Sequence, residues 1–294
     1  MAMRAAALVF FVMLTASAAS AHETMFGLGP RTIWKAGLEV ELEQEFEAGS
    51  HFWSGNNRDE NPRNRRVFMH MITPGMTYGF SRDFALRVKT PFYYMREETK
   101  DGVEWYSGAA KFRVGGAYRF VQNVFGGGSS KASWFADIEI PTATRSQGMP
   151  DEPEFDDNWT FTWGLSASTS TTRHYLWADF AGRGSTQLDG SGAGPEFQTH
   201  LAYAYRFWEL TDYKDLDMIM LVEADFKAAA QGVLNGDRDE NSGGFVFHLA
   251  LGFQINVTNR VEVKWGINLP VYRFVYGRQF YHDIQGMLMF SYLI

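Results

Sequence analysis

There is no cysteine in the 294 residues. A chain that leaves the cytoplasm without cysteine must be held by something other than disulfides, and thiolate chemistry is excluded. Beyond residue 21 there is also no apolar run of about 20 residues, the length that a membrane helix needs. No HExxH, phosphate-binding glycine loop, paired-carboxylate site or Ser/His/Asp order is present, so the reading is of a protein that is not an enzyme. Positive charge is in deficit, with a formal net charge of −7, which argues against nucleic acid as a partner.

What is present begins with an export signal. Arg4 precedes the short apolar run Ala5 to Leu14, and Ala19-Ser20-Ala21 has the form of a cleavage site. This predicts a signal peptide over 1–21 and a mature chain starting at His22, of about 270 residues, enough for one barrel or one large sandwich. No cysteine follows the apolar run, so a lipoprotein is excluded. Aromatic residues make up 16% of the chain and glycine is frequent at 29, a composition that suits strands with one apolar and one polar face.

Period-2 alternation recurs along residues 37–294. Around 37–47, Leu38, Val40, Leu42 and Phe46 share one face, and Glu39, Glu41, Glu43, Glu45 and Glu47 share the other. Around 84–95 and 109–121 the polar faces carry Arg87, Lys89, Lys111, Arg113 and Arg119. The cleanest alternation, at 195–208, sets Phe197, Leu201, Tyr203, Tyr205 and Phe207 against Glu196, Gln198, His200 and Arg206. The last strand puts Leu288, Phe290, Tyr292 and Ile294 on one face. Twelve strands are counted, the weakest at 174–183, and an even count is what closure requires. Loops at 48–66, 97–107, 143–157, 184–194, 232–243 and 273–281 read as long and polar. Turns at 81–83, 172–173 and 258–260 read as short, while 122–132 and 209–217 break that sorting. The predicted fold is all-β: a transmembrane antiparallel up-and-down β-barrel over 37–294. It is preceded by a periplasmic segment or plug over 22–36. A soluble sandwich would also alternate, without showing so many Phe and Trp outward. Trp53, Trp105, Tyr106, Trp134, Trp208, Tyr272 and Tyr281 are expected in interfacial girdles.

The expected location is the bacterial outer membrane, with long loops extracellular and both termini periplasmic. Lipid, lipopolysaccharide and the barrel-assembly machinery are the expected partners. Several stretches carry a family likeness. They are Leu251-Gly252-Phe253-Gln254, Thr258-Asn259-Arg260 and Gly266-Ile267-Asn268-Leu269-Pro270-Val271. With them go the strand-to-proline steps Val88-Lys89-Thr90-Pro91 and Ile138-Glu139-Ile140-Pro141-Thr142, and the strand Gly115-Gly116-Ala117-Tyr118-Arg119-Phe120. The pattern resembles the outer-membrane channel family linked to the meta-pathway of phenol degradation. That resemblance implies a 12-stranded barrel acting as a transporter.

The polar faces converge on a lumen, where charge is costly unless paired. Glu39, Glu41, Glu43, Arg87, Lys89, Lys111, Arg113, Arg119, Glu196, His200 and Arg206 are the candidate lining. They act either as a selectivity surface for a small-molecule solute or as a charged filling that fixes the barrel's shape. Twelve strands give a bore between that of a filled eight-stranded barrel and an open porin, so 22–36 decides whether the path is open. The sequence calls for no cofactor. Copper could be held through the α-amine and imidazole of His22, a bidentate chelate. The run Asp237, Asp239, Asn241 opens like a calcium loop but lacks the distal glutamate and reads as a solvated loop.

Overall fold

The computed structural model describes residues 24–27, 32–142, 157–208 and 216–294. Twelve antiparallel strands form a closed barrel. They are β1 (Leu38–Gly49), β2 (Arg66–Gly79), β3 (Phe84–Lys89 and Phe92–Thr99), β4 (Gly102–Ala109 and Phe112–Phe125), β5 (Gly128–Ile140) and β6 (Thr160–Thr171). Then follow β7 (His174–Ser185), β8 (Glu196–Trp208), β9 (Asp217–Ala229), β10 (Gly244–Asn256), β11 (Val261–Tyr281) and β12 (Ile284–Leu293). Each strand pairs with the next in sequence, and β12 pairs with β1 from Glu39↔Leu293 to Ala48↔Ile284. At the end of that seam Leu38 and Ile294 exchange backbone hydrogen bonds of 3.2 and 2.7 Å. Closure leaves no strand edge, so the backbone is satisfied within the sheet, as hydrocarbon surroundings demand.

Side chains sort by parity. Val40, Leu42, Trp163, Leu251, Phe290 and Tyr292 stand outward and exposed, while Glu39, Glu41, Glu223 and Lys264 are buried inside. The strand at 174–183, the faintest in the sequence, is fully formed and pairs with β6 from Ser170↔Tyr175 to Thr160↔Ser185. β3 and β4 are each broken once, at 90–91 and 110–111. Pro91 has no N–H to give the ladder, and its carbonyl accepts from Ala110 N–H at 2.9 Å.

Three expected loops are corrected. The stretch 97–107 is strand on both sides of a turn at Lys100–Asp101. Residues 273–281 lie within β11, and 122–132 is strand closed by Gly126–Gly127. The first two were missed because strands that rise past the lipid lose their apolar face, as at Arg96, Glu97 and Glu98. The third was missed because the register shift between Arg119 and Val121 reverses the alternation. The stretch 48–66 holds its own hairpin, His51–Gly55 with Asn57–Asp59. His51–Gly55 continues the β1 edge against Arg278–Tyr281. One rim thus carries the turns at 80–83, 126–127, 172–173 and 257–260, and the other carries the taller hairpins. Trp105, Trp134, Trp208 and Tyr272 are exposed outward as girdle positions require, but Tyr106 is buried in an inward cluster with Val67, Met69, Tyr93 and Met95. Trp53 and Tyr281 also belong elsewhere, stacked on Arg273.

Candidate functional site

The lumen wall made by β1 to β7 is a charge network organised by glycine. Glu41 of β1, Gly75 of β2 and Lys89 of β3 are consecutive cross-strand neighbours. Gly75 has no side chain, so Lys89 reaches across it and places Nζ 3.0 Å from Glu41 and 2.8 Å from Glu43. A Cβ at Gly75 would overlap Glu41. The same arrangement repeats one step round the barrel. Gly115 lies between Arg87 and Asp137 in register, and that pair closes at 3.1 Å. Next to it Glu139 is held by Arg113 at 2.8 Å and Arg183 at 2.9 Å. Buried charges held in such shared pairs have little freedom to leave.

The opposite wall centres on His200, which is fully buried. Its Nε2 lies 3.0 Å from Glu223 on β9, and its Nδ1 lies 3.6 Å from Asp179 on β7. Glu223 faces a second set of donors. The backbone N–H of Met25 donates to its Oε1 at 2.7 Å, and that of Phe26 to its Oε2 at 2.9 Å. The segment Thr24–Gly27 therefore lies inside the barrel, held by a carboxylate that His200 orients. The Met25 side chain fills a slot above two facing glycines, Gly252 of β10 and Gly266 of β11. A Cβ on either would overlap Met25. Farther along, Ile33 packs with Ala85 and Leu293 at the turn rim.

Above Thr24–Gly27 a cavity of about 500 Å³ runs toward the hairpin rim, where Arg273, Tyr281 and His282 line it. The size is within the range of small-molecule sites. Its walls include Glu41, Glu43 and Lys89 on one side and Gln198, Asp225 and His248 on the other. His248 and His200 are kept apart by β9; Asp225 lies between their strands and accepts from Gln198 at 2.8 Å.

Of the residues singled out from sequence, Glu39, Glu41, Glu43, Arg87, Lys89, Lys111 and Arg113 do face one lumen wall. Lys111 is buried there, 3.3 Å from the Thr160 hydroxyl. Glu196 pairs with Lys227 at 3.4 Å nearer the hairpin rim. Four do not line the cavity: Glu196, the buried His200, Arg119, which binds Asp83 at 3.0 Å beside the β2–β3 turn, and Arg206, which binds Asp217 at 3.0 Å. His22 lies outside the described residues. Sequence reasoning passed over Asp179, Glu223 and Arg273 as site residues. Glu223 stood in plain alternation as a polar-face residue, whereas Asp179 lay on the faintest strand; Arg273 was hidden, because the register shift between Phe247 and His248 reverses parity on β11. No group of three or more His, Asp or Glu among the described residues is arranged to hold a metal ion.

No family model matches the chain, and no curated protein matches it. Solved structures do. An outer-membrane channel from Pseudomonas putida F1 superposes with a TM-score of 0.73 at 8% identity, over 92% of this chain and 100% of that one. The translocator domain of the autotransporter NalP from Neisseria meningitidis gives 0.44 at 9% identity, covering 99% and 97%. The CymD monoaromatic hydrocarbon channel gives 0.40 at 7% identity, covering 88% and 89%. The last two scores are too low to carry weight, and nothing in the first bears on phenol. In fold, this chain is similar to an outer-membrane channel.

Proposed function

We propose that the chain is an outer-membrane channel for small polar solutes, with Thr24–Gly27 seated in the lumen as a plug. One observation carries the reading: a closed barrel with an apolar outer surface encloses a cavity of about 500 Å³ that ends on that segment. An apolar exterior selects lipid, and alternation leaves the polar faces for a solute path. Lumen charges such as Lys89 with Glu41 and Glu43 then act as the filter. In this reading the long hairpins face outside beside lipopolysaccharide and the turn rim faces the periplasm. The fixed partners are lipid and, during insertion, the assembly machinery.

Planar-bilayer conductance of the refolded mature protein, with and without residues 22–31, tests both halves. The intact barrel should pass little current and the shortened one a steady current. Silence from both, with folding verified by heat-modifiable gel migration, would end the channel reading. It would leave a structural or binding barrel, the reading favoured by the extent of charge pairing in the lumen. Copper chelation by His22 is a separate proposal. Mass spectrometry of the mature protein with Cu(II) decides it, and no adduct at low micromolar copper ends it.

A further inference from the structure

The hairpin-rim end of the cavity holds an arginine with more buried donors than acceptors around it. Arg273 on β11 is 4% exposed. Its guanidinium lies 4.8 Å from the centre of the Trp53 ring and 4.5 Å from that of Tyr281. Only Nη2 has a partner, the His282 carbonyl at 2.7 Å. Nε and Nη1 are buried with no acceptor among the described residues, and so is the Trp53 indole Nε1.

No carboxylate among the described residues hydrogen-bonds this guanidinium, although the charge of Asp283 acts on it. Asp283 accepts instead from Ser50 N–H at 3.0 Å and Ser50 Oγ at 3.1 Å, with His51 Nδ1 2.9 Å away. Glu47, which would repel an anion here, is 2.7 Å from His282 Nδ1. A buried guanidinium lacking acceptors costs free energy. The two rings stack on it and leave N–H groups of its edge as the free recognition element. A planar N–H edge matches a carboxylate better than a spherical anion.

We propose that Arg273, with the Trp53 indole N–H beside it, forms a binding site for small organic carboxylates next to the hairpin-rim end of the cavity, which Arg273 and Tyr281 line. The carboxylate accepts from Nη1 at the outer end of the guanidinium and from the indole N–H, and the solute's apolar body lies against Trp53 and Tyr281. This deepens the channel reading by naming a solute class. It rests on that reading only for passage, because binding there is measurable on a barrel that conducts nothing.

The experiment is calorimetric titration of the folded mature protein in detergent with benzoate, acetate and benzylamine. Benzoate should bind saturably and acetate more weakly, and benzylamine should not bind. Arg273→Gln should weaken benzoate at least tenfold, and Arg273→Lys should fall between. Trp53→Phe, which keeps a ring and loses the donor, should weaken it several-fold, while Arg260→Gln in the exposed turn at the opposite rim should leave it unchanged. If Arg273→Gln does not fold, Arg273→Lys and Trp53→Phe carry the decision. Equal affinity in the wild type and the folded Arg273 and Trp53 variants would overturn the proposal. So would benzylamine binding as tightly as benzoate, or no saturable benzoate binding by a folded wild-type barrel.

Discussion

Lys89 is the residue on which the acidic wall depends. Its ammonium bridges Glu41 and Glu43 inside the lumen, at 3.0 and 2.8 Å. Removing one partner of a buried ion pair costs more than the pair is worth, because the charge left behind has lost both water and counter-ion. Lys89→Met should therefore destabilise the barrel by about 3–5 kcal/mol in urea unfolding. Adding Glu41→Gln and Glu43→Gln should return most of that loss, and a triple variant no more stable than Lys89→Met would show the pairing to be incidental. The sequence placed Lys89 and the glutamates on lumen faces without revealing that they meet. They sit on strands separated by β2, and only the register brings Gly75 between them. Glycine at that position looks like a weak strand residue until its neighbours on both sides are known.

Among the elements, the hairpin rim is held where Ser50 and His51, just past β1, meet Asp283, just before β12. Burial alone would raise the Asp283 carboxyl. The hydrogen bond with His51, the Ser50 backbone N–H and the charge of His51 outweigh it and hold the group below the ordinary carboxylate range. A lowered value means that the folded rim binds its proton less readily than the unfolded chain. The stabilisation is complete above the carboxylate's unfolded value and is lost as pH falls through the folded one. Amide exchange at Ser50, corrected for intrinsic rate, should accelerate on acidification through that range, and Asp283→Asn should remove the dependence. An unchanged pH profile in Asp283→Asn would assign the effect elsewhere. This ladder was not foreseen, because above the lipid both strand faces are polar and period 2 has nothing to report. The membrane-level strands were legible for the opposite reason: lipid outside and charge inside impose alternation on every residue, as at Phe197 to Phe207 on β8.

At the scale of the whole molecule, barrel and segment fit one another through a methionine and two glycines. Met25 lies over Gly252 and Gly266 while Glu223 holds the backbone beside it. Gly252→Ala should unseat Thr24–Gly27, seen as raised conductance or faster proteolysis of the N-terminal segment. Met25→Ala should restore the seat in the double variant, because the lost volume accepts the new methyl. Additive effects of the two changes would mean that the slot does not hold the segment. No period marks a four-residue piece of extended chain, so its place in the lumen could not be read from Thr24–Gly27 alone. What the sequence offered was the even count of strands and the acid ladder opposite. The closed seam has a further consequence. Because Leu38 and Ile294 exchange hydrogen bonds on the turn rim, the twelve strands form a ring with no preferred starting point. A chain rewired to begin at Gly128, pass through a short linker from Ile294 to Leu38 and finish at Phe125 would keep every ladder. It would be a circularly permuted barrel that never carries the lumen segment, with each lumen-facing side chain unaltered.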